Sequence, residues 1–238
     1  MSDNIDTRVS PALDPETYRA IEGLTEETAP FVGHVINAMN DAYVTVGKLH
    51  DARRMADSNG AWTEEQKILV VGKEAEKQKQ RILKKIDLAD RDLSANIAHV
   101  EAQLMEPLAE RAGLGTLNGE VRAFVRGLNR SEREAFMRDA LERADEATLT
   151  AVLGAQPFLS GLTPIDREHY LRQHHSKKRP DLVRRLDVMR RFADMLGRSG
   201  PIVHRQFEKA VGAKPAVVRA INEANAQAEA ALRIEPTD

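Results

Sequence analysis

The chain has 238 residues, of which 4% are aromatic and 30% are charged, and it contains no cysteine. The lack of cysteine excludes disulfide bonds, cysteine-ligated metals and a thiol nucleophile. The net charge of −2 conceals an asymmetry, because residues 165–220 carry 14 Lys or Arg against 6 Asp or Glu. This basic segment favours packing against the acidic remainder of the chain or contact with a polyanion.

The chain is rich in Ala, Leu, Glu and Arg and poor in β-branched and aromatic residues, which predicts an all-α fold. No apolar run approaches the ~20 residues that cross a bilayer, so we expect no membrane association. The first six residues are polar and acidic, which is not typical of a secretory signal. We therefore expect a cytoplasmic protein, or one within a particle assembled in the cytoplasm.

The N-terminal half predicts a polar tail followed by a helical hairpin. Residues 1–13 read as the tail, and Asp14 before Pro15 is typical of a helix start. The second helix is expected to run over residues 31–56, ending at a cluster of turn residues. A long helix then begins at the capping box that Thr63 opens, and it is expected to run over residues 63–111. The two helices form the predicted hairpin, an antiparallel coiled-coil-like arm.

The long helix predicts an assembly surface near its end. Its middle, residues 73–81, is polar nearly all round, and an apolar stripe with an eleven-residue repeat follows. The shorter helix 31–56 does not reach the end of this stripe, so the N-terminal helix or a second copy of the protein must cover it. We favour a second copy, and the expected oligomer interface consists of Leu93, Ile97, Val100, Leu104 and Leu108.

After the arm, the sequence predicts a compact bundle of short helices. A second capping box is expected at Ser131, and the two large apolar residues of the loop 156–161, Phe158 and Leu159, are expected to lie in the core. One helix is expected over 180–198 and a separate one from Gly200 onwards. The predicted domains are therefore residues 14–112 for the arm and 113–238 for a bundle with basic C-terminal helices.

The sequence gives no indication of a catalytic or metal site. His174 and His175 are adjacent, and they follow His169 by five and six residues. Two metal ligands on one helical face are three or four residues apart, so these spacings do not form such a pair. The glycine-rich stretch 113–119 follows a helix and lacks the Lys-Ser/Thr ending of a phosphate-binding loop. No Gly-x-Ser-x-Gly motif is present. We predict that the protein is not an enzyme and uses no cofactor or metal.

The C-terminal segment of about residues 201–226 resembles a helix-turn-helix, with Gly212 in the turn. Such a motif would present polar side chains of its second helix to DNA, namely Lys214, Arg219, Asn222 and Asn225. An ordinary corner between two packed helices has the same spacing of apolar residues, and we favour that interpretation.

The stretch Ala151–Leu162, continuing into the arginine-rich helix, resembles uncharacterised helical proteins of proteobacterial phages and prophages over about a third of the chain. This resemblance implies a virion or assembly role. The sequence therefore predicts a non-enzymatic structural or interaction protein that self-associates through its arm, with other proteins of an assembly as further partners. The alternative is a DNA-binding protein that uses the C-terminal helices.

Overall fold

A computed structural model describes residues 6–109 and 115–233. These residues form helices and no strand, which confirms the predicted all-α fold. Three short 3-10 turns lie at Pro11–Leu13, Ala29–Phe31 and Pro157–Ser160. The α-helices are α1 (Pro15–Arg19), α2 (Gly33–Asp57), α3 (Glu64–Leu104), α4 (Gly115–Gly127), α5 (Arg130–Glu142), α6 (Glu146–Leu153), α7 (Pro164–Lys178), α8 (Pro180–Val211) and α9 (Pro215–Ala231).

The chain divides into two compact units, the first made of Met1–Ala95 and Val188–Asp238 and the second of Asn96–Asp187. These boundaries differ from the predicted domains 14–112 and 113–238. The reason is that α3 and α8 each run without a break from one unit into the other, so neither boundary carries a Gly, Pro or turn signal. The C-terminal helix α9 also belongs to the same unit as the hairpin.

The first unit contains the predicted hairpin, with α2 and α3 antiparallel. The side chain of His34 lies 3.2 Å from the carbonyl oxygen of Ala89, near the start of α2. At the opposite end of α2, Arg53 forms an ion pair with Glu64, the first residue of α3. These two pairs fix the direction and register of the hairpin.

The start of α3 follows the predicted capping box. Gln66 N–H donates to Thr63 Oγ1 at 3.3 Å, and Thr63 N–H donates to Gln66 Oε1 at 3.0 Å. The helix ends at Leu104, earlier than predicted, because Pro107 disfavours helical conformation in the residue before it. The predicted stop at Gly113 lies outside the described residues.

Residues 6–13 are part of the first unit, which corrects their interpretation as a polar tail. Val9 and Leu13 are buried, and Ser10 N–H donates to the side chain of Gln206 at 3.0 Å. The two apolar anchors are too few to give the segment a periodic pattern, and only the packed structure reveals them.

The helix α8 is continuous through Gly200 and Pro201, where the sequence predicts a break. Residues on both sides of the proline, including Leu196, Val203 and Phe207, are buried. This burial outweighs the backbone hydrogen bond that proline cannot donate.

The second unit is a small bundle of α4 to α7 around a core that includes Val125, Met137, Leu149 and Leu171. Its capping box lies at Asn129 and Glu132 rather than at Ser131. The guanidinium of Arg133 donates to the carbonyl oxygens of Val125 (3.0 Å), Leu128 (2.7 Å) and Gly161 (2.5 Å). One side chain thereby satisfies the carbonyl groups at the end of α4 and joins them to the loop after α6.

The loop 156–161 differs from its prediction, because Phe158 is 68% exposed and Leu159 is only partly buried. Backbone geometry explains the outcome, since Pro157–Ser160 forms a short 3-10 turn that buries Ser160 rather than the phenylalanine. No helix in the described ranges contains an apolar run of the length and hydropathy needed to cross a bilayer.

Candidate functional site

The stripe predicted as an oligomer interface lies largely in the interior of the single chain. Leu93 in the first unit and Val100 and Leu104 in the second are buried, and Ile97 is partly buried. Leu108 packs against the core of the second unit. The expectation that a second copy must cover this stripe is therefore corrected, because the chain itself covers most of it.

The residues predicted to contact nucleic acid lie at the start of α9 and along it. Lys214 is the N-cap of the helix, and Arg219 and Asn222 are exposed. Asn225 is partly buried and donates a hydrogen bond to Glu229 at 2.8 Å. The structure thus has two helices joined by a short turn, as the sequence predicts, with Gly212 at φ +78° in that turn.

The helix α9 packs against the hairpin without burying any of its residues fully. A Cβ built on Gly72 of α3 would lie 3.5 Å from Val218 and 3.8 Å from Val211, so the helices approach closely at this glycine. None of the residues Pro215–Ala231, all of them described, is fully buried. Two grooves are lined by residues of α9 together with residues of α3.

The α8–α9 groove has a volume of about 830 Å³, and Gly72, Val211 and Val218 are among the residues that line it. Apolar residues of α3 and of the end of α8 line this groove. Ala75 of α3 and Phe207 of α8 are both buried. Gly72, just before the polar stretch 73–81 of α3, and Ala75, within it, are small residues that make the approach of α9 to α3 possible. The charged lining residues of the groove are Lys73, Glu76, Lys77, Lys79, Glu208 and Arg219.

The hairpin-end groove, about 1130 Å³, lies where α2 and α3 are connected. Three large apolar side chains line it although they are accessible to solvent: Met55 is 67% exposed, Val70 48% and Trp62 38%. Residues of α9, including Asn222 and Asn225, form its far edge. A cluster of exposed apolar side chains in a concave surface is typical of a binding site.

Sequence reasoning missed this groove, because periodicity identifies one apolar face per helix and Val70 lies beside that face. Two signals were available. Trp62 is the single tryptophan of the chain and lies in a turn, and Val70 and Val71 are adjacent, which gives α3 more apolar surface than the hairpin needs.

Lysines and carboxylates both line the two grooves. Lys73 and Lys77 line both grooves and are exposed, and among residues 6–109 and 115–233 neither forms an ion pair. Lys79 differs, because its Nζ lies 2.5 Å from Glu76 and lowers the pKa of that carboxyl group. Glu74 and Glu229 also line the hairpin-end groove, so the charges of its two lysines are matched by those of two carboxylates.

The three neighbouring histidines of α7 turn to separate surroundings. His174 is buried 3.7 Å from Glu146, and burial lowers the pKa of its imidazole. The ring of His175 lies 2.7 Å from the carbonyl oxygen of Glu106, and that of His169 lies 2.9 Å from Gln173. In the described part of the chain, no group of three His, Asp or Glu side chains is arranged to hold a metal ion.

No protein-family model matches this chain, and no curated protein or solved structure gives a significant match. The grooves beside α9 are therefore interpreted from their own residues.

Proposed function

We propose that this protein is a non-enzymatic interaction protein and that its hairpin-end groove binds an amphipathic helix of a partner protein. The observation that carries the proposal is the cluster of Met55, Trp62 and Val70, three large apolar side chains in one concave surface. Burial of such a side chain contributes up to roughly 1.5–3 kcal/mol, so the cluster supplies a useful driving force for binding.

The helical form of the ligand follows from the neighbourhood of the groove. The walls are α2, α3 and α9, and α9 already packs against α3 where Val218 approaches Gly72. A groove between helices accepts an apolar helical face whose anchors recur at i, i+3, i+4 and i+7. Such a role fits the assembly setting that the resemblance to phage proteins implies, as a virion component or a cytoplasmic assembly factor.

Self-association along the stripe from Leu93 to Leu108 is not part of this proposal, because most of that stripe is buried within the chain. The proposed partner is a different protein, which supplies its own apolar helix.

The experiment uses Trp62 as an internal reporter, since it is the single tryptophan and lines the groove. A synthetic amphipathic helix with a leucine stripe and uncharged glutamine flanks is titrated into the full chain while tryptophan emission is recorded. We expect a saturable blue shift that Val70→Glu abolishes. Leu88→Glu is the matched control, because Leu88 lies on the same helix outside both grooves and is 49% exposed. No binding, or equal loss in both variants, would contradict the proposal.

The second candidate function is DNA binding by the C-terminal helices. The observation that favours it is a shallow cleft at the turn before α9, bordered by three cations, Arg205, Lys209 and Lys214, and one carboxylate, Glu208. Binding through these cations would release counterions, so log affinity would fall linearly with log salt at about −0.9 per phosphate contacted. A gel-shift titration of the full chain with Lys214→Glu and Arg219→Ala tests it, and a loss of salt-sensitive binding in both variants would support it.

A further inference from the structure

A cavity in the second unit is lined by more positive than negative charge. Its volume is about 520 Å³, and the described residues that line it belong to α5 and α7. Its polar lining consists of three cations, one carboxylate and three neutral side chains: Arg138, Arg172, Lys177, Glu142, His169, Gln173 and Ser176. With His169 uncharged, three positive charges and one negative charge leave this lining with a net charge of +2. The cavity is therefore suited to an anion.

The contacts of the three cations leave them charged and able to donate. Lys177 Nζ donates to the carbonyl oxygen of Leu141 on α5 at 3.1 Å, and because this acceptor is neutral the ammonium group keeps its charge and two further hydrogens. The guanidinium of Arg172 lies 4.0 Å from Met105 Sδ, which is a weak acceptor. Arg138 and Arg172 are both exposed, and neither forms an ion pair within the described residues.

Glu142 is the one carboxylate among the described residues that line the cavity, and its charge is included in the net value of +2. The other carboxylates of α5 and α7 do not line it: Glu132, Glu134, Asp139, Asp166 and Glu168. Glu134 and Asp139 form ion pairs with Arg130 and Arg143, two arginines that also lie outside the lining. The positive charge of the cavity therefore remains after its own carboxylate is counted.

We propose that this cavity binds the phosphate monoester group of a small molecule. Such a group carries a charge of about −1.5 to −2 at pH 7 and three acceptor oxygens, so it matches the net charge of the lining. The guanidinium groups of Arg138 and Arg172 can each donate two parallel hydrogen bonds to phosphate oxygens, and Ser176 offers a hydroxyl. The volume lies in the range of small-molecule sites. This site is separate from the grooves of the proposed function and does not depend on them.

The size of the effect follows from the exposure of the cations. Ion pairs between solvated groups are weak, so removal of one arginine should weaken phosphate binding by about 2- to 5-fold at low ionic strength. A carboxylate ligand has one charge and two oxygens, so it should bind several-fold more weakly than a phosphate monoester. Binding should also weaken as salt is added, because the screening length falls to about 3 Å at 1 M.

The experiment titrates glycerol phosphate, and separately acetate at matched ionic strength, into the isotope-labelled full chain while NMR spectra are recorded. We expect saturable shifts of the Nε–H signals of Arg138 and Arg172 with glycerol phosphate and weaker binding of acetate. Arg138→Gln and Arg172→Gln should each weaken phosphate binding by about 2- to 5-fold. Arg126→Gln is the matched control, since Arg126 is exposed on α4 outside the cavity and its replacement removes the same charge. Dichroism spectra check that the variants keep their helical content.

Three outcomes would overturn the proposal. The first is a lack of saturable shifts with glycerol phosphate, or equal affinity for phosphate and acetate. The second is an equal loss of binding in Arg126→Gln, which would show that the phosphate responds to the overall charge of the chain. The third comes from a short DNA duplex titrated in parallel. If the duplex shifts the same arginine signals at lower concentration than glycerol phosphate does, the cavity serves a nucleic acid and the proposal of a small phosphate ligand is wrong.

Discussion

Gly72 of α3 and Val218 of α9 mark a close approach of the C-terminal helix to the hairpin. A methyl group on Gly72 would lie 3.5 Å from Val218 Cγ1, an ordinary van der Waals distance. The glycine therefore brings α9 close to α3 and still leaves room for one carbon atom. A side chain larger than alanine at position 72 would clash with the apolar residues of α9 that face α3. No residue of α9 is fully buried, so the helix has few other packing contacts.

Replacement of Gly72 by alanine should stabilise the protein. The substitution removes the entropic cost of glycine inside a helix, about 0.5–1 kcal/mol, and adds a contact with Val218. Chemical denaturation measures the gain. Gly47→Ala in α2 is the comparison, because its new Cβ would lie 3.0 Å from Asp6 Oδ2 and the gain should be smaller or lost. A destabilised Gly72→Ala variant would show that α9 packs more tightly than the distance indicates.

Arg133 should be the most costly single arginine to remove from the second unit. Its guanidinium donates to carbonyl oxygens at the end of α4 and at Gly161, and charge-assisted bonds of this kind contribute about 1.5–3 kcal/mol when their partners are left unpaired. Arg133→Ala should therefore lower the free energy of unfolding by about 2–4 kcal/mol. Arg130→Ala is the control, because its ion pair with Glu134 is on the surface and is worth less than about 1 kcal/mol. Equal losses in urea titrations of the two variants would refute this role.

Tyr18 and Ser199 should respond unequally to loss of their shared hydrogen bond. The two hydroxyl oxygens are 2.6 Å apart in the core. Ser199 donates its one hydroxyl hydrogen to the carbonyl oxygen of Met195 at 2.9 Å, so the hydroxyl of Tyr18 donates to Ser199 Oγ. Tyr18→Phe leaves Ser199 bonded and should cost about 0.5–1.5 kcal/mol. Ser199→Ala leaves a buried tyrosine hydroxyl without its partner and should cost more, about 1–3 kcal/mol. Thermal denaturation that gives the reverse order would contradict the assigned donor directions.

Acidification should destabilise the second unit through His174. Burial is the main cause that lowers the pKa of this imidazole below its usual value of 6.5, although Glu146 at 3.7 Å acts in the opposite direction. The imidazole in the unfolded chain therefore binds a proton near pH 6.5, whereas the imidazole in the folded chain binds it only at lower pH. As the pH falls below 6.5, protonation favours the unfolded state, and the stability that is present above that pH is lost. His174→Gln should flatten the dependence of unfolding free energy on pH between about 7.5 and 5, and His169→Gln, at an exposed position of α7, should not. A wild-type protein whose stability is constant over this range would contradict the prediction.

Local signals in the sequence were accurate where a few adjacent residues decide the outcome. The cap at Thr63 and the helix start at Asp14 and Pro15 form as predicted. The break expected at Gly200 and Pro201 failed, because burial on both sides of the proline depends on segments far away in the chain. The prediction that Phe158 is buried was wrong for a related reason, since hydrophobicity alone does not tell which side of a short turn faces the core.

The candidate site illustrates the same division. The residues of α9 were identified as a polar helix after a glycine turn, but their neighbours Met55, Trp62 and Val70 were not, because no periodic pattern connects α2, the hairpin turn and α3 to a helix some 150 residues later. Lys73 and Lys77 read as part of a solvated helix in the sequence. They acquire a position beside two grooves only when α8 and α9 fold back on the hairpin.

The sequence by itself determined three things: that the protein is built from helices, at which residues most of the helices begin, and that α2 and α3 form an antiparallel pair. It could do so because capping, periodicity and turn chemistry act over a few residues. The tertiary structure decided which apolar faces the chain covers. It buried most of the stripe from Leu93 to Leu108 and left Val70 and Trp62 accessible. The physical reason is that the hydrophobic effect is not directional, so an apolar side chain can be buried by any apolar surface that packs against it. Segments that are distant in the sequence supply that surface, and their packing is decided only in the tertiary structure.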